Sequence, residues 1–291
     1  MPDQMTIPPV PSKNTIYWLG QAGFWIDLGE RRILIDPYLS DSLAKKYAGK
    51  KFPHHRMMPI PTPVEALPRP DVVLVTHAHT DHMDPETLGP FAQRHPDCPI
   101  VVPAASVETA KQRIGGNTKL QPVNTDDRFE PLPGLHILVF PAAHEERQFD
   151  NQGHDHFLGY GIRVNNTRLF HSGDTIPFSE LSSRLQNYQP DIALLPVNGR
   201  DETRRGNGIP GNMTLTEAID MCRTLRIPNL VPHHFGMFEF NTIDQAEIAD
   251  AAKRTVKPEI TCPTVMTPIG ITNLRSVAKF SRRGHLRLEV K

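Results

Sequence analysis

Residues 77 to 82 read His-Ala-His-Thr-Asp-His, directly after the apolar, β-branched run Val72-Val73-Leu74-Val75-Thr76. Such a run reads as a buried strand over 71–76, and a helix with Pro85 in its first turn is expected to reach His95. Three imidazoles and a carboxylate therefore stand at the end of a core strand, where polar groups left dry and unpaired cost several kcal/mol. A chain can tolerate this in two ways. The segment can form a histidine-rich surface loop, or its groups can converge on a divalent cation. Side chains two apart at a strand end project together, so His77 and His79 share one direction while Asp81 and His82 turn to another. That division suits metal ligation, and two metal sites would need further ligands from elsewhere in the chain.

Candidates for further ligands stand after other expected strands. His144 follows Ile137-Leu138-Val139-Phe140, Asp174 ends Phe170-His171-Ser172-Gly173-Asp174, and His233-His234 follow Leu230-Val231-Pro232. A lone histidine after a strand is more often a packing residue. Three such occurrences beside the 77–82 motif reverse that preference, because loops at strand ends are where α/β domains gather functional groups.

Short strands punctuated by glycine fill residues 15–37, and 38–70 read as an irregular excursion with one short helix. Beyond 71–95 the pattern gives strand 99–102, helix 104–113, strands 119–123 and 135–140, and then a loop of about fifteen residues, long for a compact domain. Strands 157–164 and 167–171, helix 177–185, strand 191–196, helix 214–225, strand 229–232, helix 243–254 and strand 260–266 complete it. Thr214 and Glu217 have capping-box spacing. No Gly/Ser linker interrupts the chain, so residues 1–291 are expected to form one α/β domain, with a core of about 15–272.

Composition excludes several classes. Lys+Arg and Asp+Glu each number 32, giving no net charge, whereas a general nucleic-acid or anionic-membrane binder needs a basic face. No run is long and apolar enough to span a bilayer, and the N-terminal residues lack the pattern of a secretory signal. Cys98, Cys222 and Cys262 are widely spaced, which suits buried thiols in a reducing compartment. The expectation is a cytoplasmic protein that binds neither nucleic acid nor membrane; a homo-oligomer is compatible with it.

The order His-x-His-x-Asp-His, isolated His, Ser-Gly-Asp-Thr and Pro-His-His resembles the metallo-β-lactamase superfamily. Within it, the chain is most similar to the L-ascorbate-6-phosphate lactonase-like group. The residues carrying this likeness include Trp18 to Phe24, Ile35-Asp36-Pro37, His77 to Asp84, His171 to Asp174, Asn212-Met213-Thr214 and Val231 to His234. The resemblance implies an αβ/βα sandwich of two mixed sheets with flanking helices and a dinuclear site on one edge. It implies one metal held by His77, His79 and His144, a second by Asp81, His82 and His234, and Asp174 bridging both. It also chooses His234 over His233, and marks Asp81, Asp174 and His234 as the residues most tied to catalysis. Asp36 is either a carboxylate orienting a ligand or simply a turn residue before Pro37.

Such a site implies a hydrolase in which a metal-bridged hydroxide attacks a small anionic ester or lactone. A phosphodiesterase acting on a lipid or nucleotide diester, and a non-hydrolytic diiron redox protein, are the competing readings. Mixed His and Asp ligands suit zinc, manganese or iron. Arg200, Arg204 and Arg205, before the helix at Thr214, form either an anion site or a surface charge cluster. His154-Asp155-His156 resemble a metal-binding pair but, in a polar loop, read as substrate-facing or solvated rather than as ligands, and Lys45-Lys46 with His54-His55 as a solvated face. Glu145 and Glu146 are second acceptors beside His144 or solvated acids, and His171 is a packing residue.

Overall fold

Strands that are apolar on both faces need cover on both sides, and the alternation along the first strands shows where each face goes. The computed structural model describes residues 6–116 and 118–271. The ends of the expected 1–291 domain, and residue 272 at the limit of its core, lie outside them. Residues 6–123 give β1 (Thr15–Gly20), β2 (Gly23–Leu28), β3 (Arg31–Ile35), α1 (Ser42–Lys46), β4 (Val72–Leu74), α2 (Pro85–Arg94), β5 (Ile100–Pro103), α3 (Val107–Ile114) and β6 (Leu120–Val123). The rest gives β7 (Arg128–Leu132), β8 (Leu135–Pro141), β9 (Leu158–Val164), β10 (Thr167–His171), α4 (Ser179–Tyr188), β11 (Ile192–Pro196), α5 (Glu202–Gly206), α6 (Leu215–Leu225), β12 (Asn229–His233), α7 (Gln245–Arg254), β13 (Glu259–Ile260) and β14 (Pro268–Gly270).

The strands form two seven-stranded sheets, ordered β14-β1-β2-β3-β4-β5-β6 and β13-β12-β11-β10-β9-β8-β7. Each is mixed: antiparallel where hairpins join its strands, parallel where a helix crosses between them. Ile16, Trp18, Phe24, Ile26, Ile33, Ile35, Val72 and Leu74 pack with Ile137, Val139, Tyr160 and Ile162 of the second sheet. Their alternates Tyr17, Leu19, Trp25, Leu34, Val73 and Val75 pack with Leu88 and Phe91 of α2 and Ala110 and Ile114 of α3. Period-two alternation thus splits each strand between the centre of the sandwich and its helical cover. This is the α/β arrangement of two mixed sheets with flanking helices expected above.

Three elements were not visible in the sequence pattern. β7 and β14 are edge strands containing proline, and their residues are not buried, so neither carries an apolar period. The expected strand 260–266 contracts to the two-residue β13, and α5 is a single turn with no buried residue. Among the described residues no helix is long and apolar enough to cross a membrane.

Strand direction gathers the loops. β8 and β10 both run antiparallel to β9, and β11 and β12 run parallel to β10. The segments leaving β8, β10 and β12 therefore emerge on one edge of the second sheet. In the first, β3 and β4 are parallel and β1 shares their direction across β2. The turn after β1 and the loops after β3 and β4 thus share an edge.

Candidate metal centre

The loop after β4 is held from below. Asp36, fully buried just after β3, accepts from the Thr76 amide (2.8 Å), the Thr76 hydroxyl (2.6 Å) and Nδ1 of His82 (2.7 Å). A carboxylate on Nδ1 fixes the ring and leaves Nε2 with its lone pair free to bind a cation. Farther along, Asp84 caps α2 through the Glu86 amide and accepts from the hydroxyls of Ser40, Ser42 and Thr87. These bonds anchor the end of the motif. After β8, His144 is oriented by the Gly211 carbonyl, 2.9 Å from Nδ1. After β10, Gly173 has φ +60, and an added Cβ would lie 2.5 Å from the Leu158 carbonyl oxygen. Only glycine fits there, and the turn it permits sends Asp174 inward.

Asp174 Oδ2 is the focus of the cluster. It lies 3.1 Å from His234 Nε2, 3.5 Å from His82 Nε2 and 3.6 Å from His144 Nε2. Oδ2 of Asp81 is 3.8 Å from Nε2 of both His82 and His234. The rings of His77 and His79 stand 4.6 Å apart, and His144 is 5.2 Å from the second. Two overlapping groups have ligand atoms close enough to share an ion: His77, His82 and Asp174, and Asp81, His82 and His234. Among the described residues, His77 Nε2, His82 Nε2 and Asp174 Oδ1 are buried with no hydrogen-bond partner. Buried acceptors without donors are expensive, and a divalent cation satisfies all three.

The electrostatics suit the same occupant. Burial holds the His77 imidazole well below its ordinary value, and burial with His144 alongside pushes His79 down to about 4, so both present neutral lone pairs near pH 7. Burial opposes ionisation of Asp174 and Asp81, yet the neighbouring histidines, His234 and His82, hold both carboxyls low. Burial also opposes a charge on His82, but Asp174, Asp81 and Asp36 outweigh it and raise the imidazole. A cluster that otherwise draws in a proton is one where a cation can take that proton's place.

The structure brings His77, His79, Asp81, His82, His144, Asp174 and His234 to one edge of the sandwich. It does not bring the arginines there. Arg200 forks onto Glu217, the glutamate of the Thr214 capping box, Arg204 binds Asp201 and the Asn198 carbonyl, and Arg205 binds Glu145. The neighbouring turn 207–210 does line the cavity over the site. None of the three arginines lines that cavity, and Glu217 already holds the whole fork of Arg200, so the structure gives the anion-site alternative no support. Nor does 154–156 face the site: Asp155 is buried against Arg147, and His154 pairs with Asp150. His171 packs inside the fold, donating to the Ala22 carbonyl. Two residues expected on a solvated face instead line the cavity, Lys46 and His54.

One contact had no counterpart in the sequence reading. Gln21, buried in the turn after β1, places Nε2 2.7 Å from Asp81 Oδ2 and 3.2 Å from His234 Nε2. Its backbone carbonyl accepts from the His234 amide and the Trp18 indole, both at 2.9 Å. Its φ of +51, unusual for a non-glycine residue, lets one residue make all of these contacts. The sequence signals at this position were its place within the Trp18–Phe24 segment of the family likeness and the glycines at 20 and 23, and neither gives the contact.

Residues 31–235 match the family model described as Beta-lactamase superfamily domain. A metal-dependent hydrolase of Thermoplasma acidophilum is 23% identical over 256 residues, covering 88% of this chain and 98% of the relative. An N-acyl-phosphatidylethanolamine-hydrolyzing phospholipase D of Caenorhabditis elegans is 25% identical, over 78% of this chain and 65% of its own. Among solved structures, a metallo hydrolase from the archaeon Ignicoccus hospitalis superposes with a TM-score of 0.66 at 20% identity, covering 88% of this chain and 97% of that one.

Proposed function

Since this chain belongs to the beta-lactamase superfamily and is a metal-dependent hydrolase, we propose that it hydrolyses a small anionic ester or lactone at a dinuclear centre, as the L-ascorbate-6-phosphate lactonase-like group does. The observation that carries this reading is Asp174 Oδ2, set within 3.6 Å of three imidazole Nε2 atoms. His77, His79 and His144 would hold one ion and Asp81, His82 and His234 another, with the Asp174 carboxylate placed between the two sets. Two divalent cations would supply a water of lowered pKa and polarise the scissile group's oxygen. The protein's own residues do the rest: Asp36 and the Gly211 carbonyl fix ligand rings, and Gln21 steadies Asp81.

The anionic character rests on the cavity above the site. It encloses about 590 Å³, a size suited to a small molecule. Lys46, Lys50, Lys51 and Arg113 line it, and among the described residues its only lining carboxylates are Asp81 and Asp174. A neutral chain thus concentrates positive charge where substrate would enter. We take the chain as one domain acting in the cytoplasm, without nucleic acid or membrane partners.

A second reading, cleavage of a phosphodiester, is favoured by the likeness to the C. elegans phospholipase. Elemental analysis of freshly purified protein, with a panel of lactones, carboxylic esters and phosphodiesters assayed in Zn²⁺, Mn²⁺ and Fe²⁺, tests both. Two equivalents of metal and turnover of anionic lactones or esters is the expected result. Turnover of diesters alone would replace it with the second reading.

A further inference from the structure

The cavity has a second character that a small polar lactone would not use. Two distant segments, 47–54 and 238–240, build one aromatic wall. The Tyr47 and His54 rings stack with centroids 4.1 Å apart, and His54 meets Phe238 and Phe240 edge-on at 5.0 and 4.8 Å. Phe52 reaches Phe240 at 5.3 Å, and Phe238 and Phe240 are parallel. The His54 ring is locked by its Nδ1 contact to the Phe52 carbonyl at 2.8 Å. All five rings line the same cavity as His79, Asp81, His144, Asp174 and His234.

The cations are interleaved with these rings. Lys46 Nζ stands 5.3 Å over Tyr47 and 3.3 Å from the Thr80 hydroxyl, within the metal motif itself. Lys51 Nζ stands 5.2 Å over Phe52 and donates to Asn207 across the rim. The ammonium groups are thereby held at the site rather than dispersed into solvent. Positive charge beside the ligands, next to a wall of rings, matches a molecule with the same two parts.

Resting on the hydrolase reading above, we propose that the substrate is an amphiphilic anion whose apolar, ring-bearing part packs against Tyr47, Phe52, His54 and Phe240 while its anionic end lies between Lys46 and the metal ligands. The excursion between β3 and β4 is then a specificity lobe. Aromatic walls contribute affinity through buried area and ring contacts, so the apolar part should be felt in binding before any bond is cleaved.

Binding is therefore measured without turnover, by calorimetry of the metal-loaded protein with benzylphosphonate and methylphosphonate. The expected result is benzylphosphonate at least about tenfold tighter. Phe52→Ala and Phe240→Ala should each bring that ratio towards one while methylphosphonate binding is kept, and Lys46→Ala should weaken both ligands alike. Circular dichroism and metal content show whether each variant is folded and loaded; if one is not, Phe52→Leu and Phe240→Leu replace it, expected to lower the ratio by a smaller factor. Equal affinities in the unaltered protein, no binding of either ligand, or a ratio unmoved by the aromatic variants would overturn the proposal. The hydrolase reading fails by a different result, absence of turnover across the ester and diester panel.

Discussion

His233 and His234 are adjacent and both buried, yet the backbone gives them different surroundings. His233 is the last residue of β12; its ring stacks on His171 at 4.8 Å, with Phe24 edge-on, and neither of its ring nitrogens has a hydrogen-bond partner among the described residues. Burial pushes its imidazole well below the ordinary range, so it packs as a neutral ring. His234 takes φ +61 and turns its ring to Asp174. Replacing His234 with Ala should remove metal and lower activity by more than the roughly 10–100-fold typical of residues that merely orient a ligand. His233→Phe, an apolar ring in an apolar slot, should keep metal content and most activity, because exchanging an unbonded polar group for an apolar one of similar shape is nearly neutral. Metal analysis and steady-state kinetics of both variants check this, and an exchange of the two effects would move the ligand by one position. Gln21→Leu keeps the backbone carbonyl that holds His234 and Trp18 but deletes the donor to Asp81. Metal affinity should fall about 10–100-fold with the circular dichroism unchanged; a competitive chelator titration measures it.

At the scale of elements, the segment between β8 and β9 shows how a long loop can be ordered without regular structure. Isolated bridges pair His144 with Glu146 and Phe149 with Asp155. Asp155 is buried, accepts from Thr125, and receives two nitrogens of Arg147, whose remaining fork reaches Glu180 on α4. The loop that carries His144 is thus pinned to both a helix and a turn. Arg147→Ala would leave the Asp155 carboxylate short of donors, at a cost of about 1–3 kcal/mol, and thermal denaturation should show a lower Tm. Because His144 sits at the start of this loop, metal retention should fall as well; an unchanged Tm would mean that the ion pair contributes nothing. The length of this loop was visible in the sequence, but its clamp was not, since Asp155 and Arg147 gain their partners only when Thr125 and α4 are packed alongside.

For the molecule as a whole, the candidate ligands come from both sheets, so no unfolded or half-folded chain presents the set. A cation bound only by the folded state stabilises it by mass action, about 2.7 kcal/mol at a free concentration one hundred times Kd. Chelation should therefore lower the Tm by several degrees, on the order of 2–4 °C per kcal/mol for a domain of this size. Readdition of Zn²⁺ or Mn²⁺ should restore it, and scanning calorimetry with and without chelator measures the change. A Tm indifferent to chelator and to added metal would detach the cluster from stability. The arginine loop belongs to this scale too. Arg200, Arg204 and Arg205 brace α5, α6 and the 145 turn against one another, a role that net charge and loop composition do not distinguish from anion binding.

Residue order alone showed the candidate ligand residues, their succession along the chain and the strands that carry them. These are local properties: apolar runs mark the strands, and His-x-His-x-Asp-His needs no distant partner to be recognised. Most strands and helices of the two sheets followed from the same periodicity, except where edge strands such as β7 bury too little to show it. Tertiary structure decided everything that depends on two distant segments meeting. It aimed three Nε2 atoms at Asp174 Oδ2, placed Gln21 beside Asp81 sixty residues away, paired the arginines with their own acids, and joined Tyr47, Phe52 and His54 to Phe238 and Phe240. Side chains that look solvated in a list, Lys46 and His54 among them, become a cavity wall once the chain returns to cover them. Proximity of that kind is created by packing, and no window of sequence contains it.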